Sequence, residues 1–306
     1  MKTLLLDLGG THLRAGFAKD HEKEILDMKK IKINEIGSIE SSIEDLVSQI
    51  EPQEIIFSAA GPRKENTIKM TNRNFNIDGN ELSKKFGIQC HLLNDWESIG
   101  YCIPTLASHE IIEIKEDLNK KNESLMAIGP GTGLGCVQIK YKKDIPNIFS
   151  TEVGNTRQYN SFLNEHFKLS DTDEFHYLEH YISGSGLKKI YFIKTQKDIS
   201  PEEILDRYGN DEACTNVVDD FIEAFYKILS DLALTFLIKG KIYLVGGLMR
   251  SLCNLKSMRE KTENFINHPS DEHNKILKNC GIYLVKKEHT PLYGNLNYAR
   301  IRTINE

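Results

Sequence analysis

Asp7 ends an apolar run and is followed by Gly9, Gly10, Thr11 and, three residues later, Arg14, in the stretch Leu4-Leu5-Leu6-Asp7-Leu8-Gly9-Gly10-Thr11-His12-Leu13-Arg14. These residue types suit polyphosphate chemistry. Glycine lets a ligand approach the backbone with no Cβ in the way. The turn amides and the Thr11 hydroxyl can donate to phosphate oxygens, and Asp7 can hold a hydrated Mg²⁺. A second turn of the same make, Gly129-Pro130-Gly131-Thr132-Gly133-Leu134-Gly135, separates the apolar runs 125–128 and 136–139. Two such turns in one chain favour a shared polyphosphate more than either does alone. A glycine pair, Gly246-Gly247, closes the apolar run 242–245, and Asn94-Asp95 closes the run 88–93. A carboxylate at position 95 can align a hydroxyl and take its proton. Each feature also has a plain structural reading: a hairpin turn, a strand-to-helix turn, or a helix N-cap before residues 96–101.

The elements that must position these residues follow from pattern. Residues 4–17 read as a strand, a tight turn and a returning strand. A helix is expected over 39–50, closed by Pro52, and a strand over 54–60 ending at Gly61-Pro62. Ile77-Asp78-Gly79-Asn80 opens a helix over 81–86 that Gly87 stops, before the strand 88–93. The polar stretch 116–123 reads as a loop. Val218, Phe221, Ile222, Phe225, Ile228, Leu229 and Leu232 recur at the spacing of one amphipathic helix over 217–237. Strands mixed with helices argue for an α/β class.

Composition sets the outer limits. A chain of 306 residues is long enough for two domains. With 40% hydrophobic and 27% charged residues it is globular, and a net charge of -5 carries no nucleic-acid footprint. No apolar run reaches the ~18 residues of a membrane span, and Asp7 comes too early for a signal-peptide core. The 6 cysteines (Cys90, Cys102, Cys136, Cys214, Cys253 and Cys280) show no C-x-x-C pair. A reduced, cytoplasmic protein without structural zinc is expected. His176 and His180 read as surface residues, since no acid–histidine cluster of metal spacing accompanies them.

Taken in order, the glycine turns and several further stretches resemble the bacterial-type glucokinases of the hexokinase–actin-like ATPase superfamily. The further stretches are Ala60-Gly61-Pro62, Thr71-Asn72, Leu93-Asn94-Asp95, Glu152-Val153-Gly154, 179–187, Val245-Gly246-Gly247 and Leu292-Tyr293-Gly294. The resemblance implies an α/β, two-domain actin-like ATPase (ribonuclease H-like) fold with a central cleft. Residues 1–105 and 290–306 would form a small domain and 106–289 a large one. It implies ATP-dependent phosphorylation of glucose at the 6-hydroxyl, with Mg²⁺, in a cytoplasmic homodimer that contacts neither nucleic acid nor membrane. The nucleotide would be held by Leu6, Asp7, Leu8, Gly9, Gly10, Thr11, Arg14, Gly131, Thr132, Gly133, Gly246 and Gly247, with Asp7 reaching the metal through water. The sugar would be held by Asn72, Asn94, Asp95, Glu152, Asn155 and Glu179, with Asp95 as the base. Carboxylates suit a hexose because each can accept from two vicinal hydroxyls.

One departure stands out. The glucokinases it resembles carry histidine at the fourth position of Glu-x-Gly-His, where this chain has Asn155. The expected consequence is an active enzyme with altered affinity or hexose preference. Kinases acting on mannose, fructose or an N-acetylhexosamine are the near alternatives. A non-catalytic sugar sensor is the distant one, and it has no need of an acid at position 95.

Overall fold

The computed structural model describes residues 1–19, 22–33, 38–70, 75–118, 123–170 and 173–305. They fall into two units, one of Met1–Leu106, Lys143–Ser150 and Lys287–Glu306, the other of Ala107–Lys142 and Thr151–Lys286.

The first unit opens with β1 (Lys2–Leu8), which pairs antiparallel with β2 (His12–Lys19), itself paired with β3 (Leu26–Lys32). Leu4, Leu5, Leu6 and Leu8 are all fully buried, as the unbroken apolar run of β1 requires of a strand covered on both faces. Helix α1 (Ile39–Ile50) buries Ile39, Ile43, Leu46 and Ile50 along one stripe. Ser38 caps its start, and Glu51 in the left-handed region ends it just before Pro52. β4 (Glu54–Ala59) then runs parallel to β1. A small sheet of β5 (Arg63–Lys64), β6 (Thr67–Lys69) and β7 (Asn76–Asp78) leads into α2 (Gly79–Phe86). Asp78 caps α2 and Gly87, at φ 65°, terminates it. β8 (Gln89–Asn94) lies parallel to β4 and delivers α3 (Asp95–Cys102). The sheet order is β3-β2-β1-β4-β8, so β1, β4 and β8 present their carboxyl ends along one edge.

The second unit carries β9 (Ile111–Lys115), then the hairpin β10 (Ser124–Pro130) and β11 (Leu134–Lys142); β12 (Ile145–Thr151) follows in the same sheet, although its residues 145–150 group with the first unit. Helices α4 (Asn160–Phe167), α5 (Gly184–Thr195), α6 (Pro201–Asp206) and α7 (Glu212–Thr235) follow. The chain continues through β13 (Lys241–Leu244), α8 (Gly247–Cys253), α9 (Lys256–Glu260), α10 (Asp271–Asn279) and β14 (Gly281–Val285). The sheet order is β12-β11-β10-β13-β14-β9, with β10, β13 and β14 parallel. Both sheets therefore follow one plan: a hairpin, a third meander strand, a helical crossover, then two strands parallel to the hairpin's first.

Two expectations shift, and one site residue falls in irregular structure. Strand β10 runs on through Gly129 and Pro130, so the second glycine turn is only Gly131-Thr132-Gly133. The long helix α7 begins at Glu212, five residues before its apolar pattern, because Asp211 accepts from the Cys214 amide and caps it. Glu179 lies in a 3-10 turn, Leu178–His180, because Ser183 caps α5 and the helix cannot start earlier.

The chain ends in α11 (Thr290–Asn305), which belongs to the first unit. Leu292, Leu296 and Ala299 cluster with Leu5, Ile56 and Leu93 on one face of that sheet. The α1 stripe clusters with Leu4, Leu6 and Phe57 on the other.

Candidate active site

In the first unit the glycine turn and the Asn94-Asp95 pair lie at the carboxyl ends of parallel strands in one sheet, where open α/β sheets bind ligands. Asp7 is 3% exposed. Its Oδ2 accepts from Arg14 Nη1 at 2.8 Å, and its Oδ1 accepts from Ser58 Oγ at 3.1 Å. The strand register explains both contacts, since Asp7 stands opposite Arg14 on β2 and beside Ser58 on β4. Burial pushes the Asp7 carboxyl up from its ordinary value, against the Arg14 cation and the two hydrogen bonds. Gly10 and Thr11 are exposed, and a Cβ at Gly10 would meet nothing. The Gly9 amide closes the turn on the His12 carbonyl at 3.0 Å.

Asn94 is the N-cap of α3. Its Oδ1 accepts from the Trp96 and Glu97 amides at 2.8 and 3.3 Å, and its Nδ2 donates to the Gly61 carbonyl at 2.7 Å. The cap reading and the ligand reading are thus compatible only in part: the oxygen is spent and one N–H remains. Glu97 completes a capping box by accepting from the Asn94 amide, while Arg63 grips the same carboxylate through Nε and Nη2 at 2.7 and 2.9 Å. Asp95 is the first residue of α3 and half-buried, so its charge also favours the helix N-terminus.

In the second unit the glycine turns after β10 and β13 share one edge, since those strands are parallel neighbours. Gly131 N donates to the Gly133 carbonyl at 2.7 Å, and the Gly131 carbonyl accepts from the Gly184 amide at 2.8 Å. Ser185 Oγ donates to the Thr132 carbonyl at 2.9 Å. The turn's carbonyls are thereby tied to the start of α5. Gly246 sits at φ 107°, a left-handed conformation that glycine adopts without strain, and starts α8.

Glu179 is half-buried against the same turn, and its Oε2 accepts from the Leu134 amide at 3.2 Å. A Cβ at Gly133 would fall 2.5 Å from that oxygen, and one at Gly154 would lie 3.2 Å from it and 2.3 Å from the Leu134 carbonyl. Two glycines therefore make room for one carboxylate. Glu152 and Asn155 are the exposed ends of a 3-10 turn, Val153–Asn155 with Glu152 as its N-cap, whose Val153 and Gly154 are buried, and Asn155 Nδ2 donates to Glu152 Oε2 at 3.1 Å. Thr156 O accepts from the Leu178 amide at 2.9 Å, which brings the Glu152 and Glu179 segments side by side.

A family model described as Glucokinase matches residues 4–301. The chain belongs to the glucokinase family. A glucokinase from Saccharophagus degradans is 24% identical over 95% of this chain and 96% of its own length. A Sinorhizobium fredii glucokinase is also 24% identical, over 81% of this chain and 78% of its own. The fold is that of a glucokinase from an Antarctic psychrotroph, with a TM-score of 0.81, 22% identity and 98% of each chain covered. A Streptomyces griseus ROK-family glucokinase solved with glucose and AMPPNP gives a TM-score of 0.66 at 17% identity, covering 98% of this chain and 99% of its own. The two units are therefore those of an actin-like ATPase fold, and the glucokinase family makes this chain a sugar kinase, a phosphotransferase that uses ATP.

The residues fit the group such a kinase requires. Each Asp7 oxygen accepts one hydrogen bond and keeps a further lone pair, which suits a Mg²⁺ held through its own waters. The expected sugar residue Asn72 lies outside the described residues. Sequence reading missed Ser58, Ser98 and Asn295, all fully buried beside the expected site residues. The only signal for Asn295 was its place directly after the Leu292-Tyr293-Gly294 stretch.

Proposed function

We propose that this chain transfers the γ-phosphoryl group of ATP to the 6-hydroxyl of glucose, forming glucose 6-phosphate at the entry to glycolysis. The observation that carries this reading is the common edge of β1, β4 and β8, which holds the Asp7 turn and Asp95 at the ends of parallel strands of one sheet. A primary hydroxyl is a poor nucleophile. Asp95 aligns it and takes its proton as it attacks phosphorus in line. The remaining Asn94 N–H holds a neighbouring hydroxyl, and Glu152 and Glu179 accept from the others. The turns at Gly9-Gly10-Thr11 and Gly131-Thr132-Gly133 donate to phosphate oxygens, Gly246 and Gly247 adjoin the nucleoside, and Arg14 orders the Asp7 turn. When bound, Mg²⁺ held by Asp7 through water offsets charge on the transferred group.

Hexose choice turns on Asn155. Its side chain is shorter than histidine, cannot become charged, and already gives one hydrogen to Glu152. We assign glucose as the substrate with a broader tolerance at the anomeric end. The buried, free thiols support a cytoplasmic setting, and the homodimer implied by the family resemblance is checked by sedimentation.

Coupled detection of ADP release with glucose and Mg-ATP tests the reading. Asp95→Ala is expected to keep glucose binding and to lose about 10²–10⁴ in kcat. Turnover equal to that of the unaltered chain removes Asp95 from the role. Glucose binding without any turnover in the unaltered chain points to a sensor instead.

A further inference from the structure

Asn295 lies in α11, outside every stretch that could be read for chemistry, yet its buried side chain bonds to β1, β4 and α3. It is 0% exposed, as are Ser58 on β4 and Ser98 on α3. Asn295 Nδ2 donates to the Leu6 carbonyl at 2.8 Å and to Ser58 Oγ at 3.1 Å. Its Oδ1 accepts from Ser98 Oγ at 2.5 Å, and the same hydroxyl lies 2.6 Å from the Pro291 carbonyl. The amide orientation is forced: Leu6 offers only a carbonyl, so the nitrogen must face it and the oxygen must face Ser98.

The direction of the remaining donors follows. Ser58 Oγ accepts a hydrogen bond from Asn295, which leaves its own hydrogen for the acidic acceptor Asp7 Oδ1 at 3.1 Å in preference to the Leu6 carbonyl at 3.3 Å. Arg14 donates to the other Asp7 oxygen. A one-way chain of donors thus runs from Ser98, three residues after Asp95 on α3, through Asn295 and Ser58 to Asp7. Apart from the single Ser98 hydrogen, which the Asn295 oxygen and the Pro291 carbonyl share, each donor in it has its own acceptor, and such a buried network favours one geometry.

The packing was built to allow this. A Cβ on Gly294 would lie 1.7 Å from the Ser98 carbonyl. Glycine at that position lets α11 approach α3 closely enough for the next residue to reach the Ser98 hydroxyl.

We propose that Asn295 is a positioning residue for phosphoryl transfer: through Ser58 and Ser98 it locks the Asp7 carboxylate and the helix that begins with Asp95 into one geometry. The inference rests on the roles given above to Asp7 and Asp95. Hydroxyl-only changes probe it with the least risk to folding. Ser58→Ala and Ser98→Ala should each lower kcat by about tenfold while leaving KM for glucose within about twofold, since misplacement of reacting groups is felt in turnover. In a double-mutant cycle the two losses should be non-additive, because they break the same chain. Asn295→Asp keeps the shape but replaces both N–H donors by an acceptor, and should lose more than either serine variant.

A readout independent of turnover is available in Trp96, the one tryptophan of the chain and the neighbour of Asp95. Its emission should shift in Ser58→Ala, although that change alters no residue of α3. Folded serine variants with unaltered kcat and unaltered Trp96 emission, or strictly additive losses, overturn the proposal. Asp7→Asn and Asp95→Ala run alongside separate the two levels. If either is fully active, the underlying role assignment fails. If both are inactive while the serine variants are normal, only the positioning role fails.

Discussion

Asp7 sits in a place that resists charge. Burial raises its carboxyl above the ordinary 3.8, and Arg14 and Ser58 oppose that rise without cancelling it. Between the ordinary value and the raised folded value, the native state binds more protons than the unfolded chain. Stability therefore falls as pH rises through that window, and the cost is absent below 3.8. Asp7→Asn should unfold at a higher temperature at pH 7 and flatten the acid-side dependence of melting, while kcat drops by about 10²-fold or more. A melting series over pH, with turnover measured on the same preparations, checks both halves. Glu179 invites a different change. In Gly133→Ala the new methyl would lie 2.5 Å from Glu179 Oε2, the free end of a flexible side chain. The carboxylate should swing aside at a stability cost of about 1 kcal/mol or less, with a rise in KM for glucose. An unchanged KM would remove Glu179 from the sugar.

At the scale of elements, the first unit depends on how closely α11 meets α3. Gly294 permits the approach, Asn297 Nδ2 donates to the Tyr101 carbonyl at 2.8 Å, and Tyr101 packs edge-on against Tyr298. The atom that a Gly294 side chain would strike is backbone, the Ser98 carbonyl at 1.7 Å. No rotamer change relieves that. Gly294→Ala should cost at least about 1–3 kcal/mol, as overpacked interiors do. Denaturant unfolding measures it, and a change within error would mean the helices separate freely. Helix α3 also depends on its N-terminal box of Asn94 and Glu97, which Arg63 braces, so Asp95 starts a helix whose first turn is doubly held.

At the scale of the molecule, two sheets of like topology each offer a glycine turn between the two strands of their hairpin. Asn94 and Asp95 belong to the first unit, and Glu152, Asn155 and Glu179 to the second. A ligand that binds only the folded chain raises its stability by about 2.7 kcal/mol at one hundred times Kd. Glucose should do this without ATP, and Asp95→Ala should retain most of the effect. Melting shifts across glucose, mannose, fructose and N-acetylglucosamine at equal concentration then rank the preference that Asn155 permits. A larger shift with another hexose would reassign the substrate.

Much of this was written in the chain. Leu4 to Leu8 can only be a buried strand, Ser38 and Pro52 bracket α1, and Gly87 stops α2, because apolar period, caps and positive φ act over a few residues. The glycine turns and Asn94-Asp95 were legible for the same reason, as was the family that their order resembles. The start of α7 was hidden because Asp211 caps a polar first turn with no apolar rhythm. What tertiary structure alone decided is which partners meet across long separations. Asn295 joins Leu6 and Ser98 from the far end of the chain, and Glu179 rests on the Leu134 amide between Gly133 and Gly154. Such contacts arise from strand register and helix approach, which depend on the whole packed unit and leave no local pattern to read.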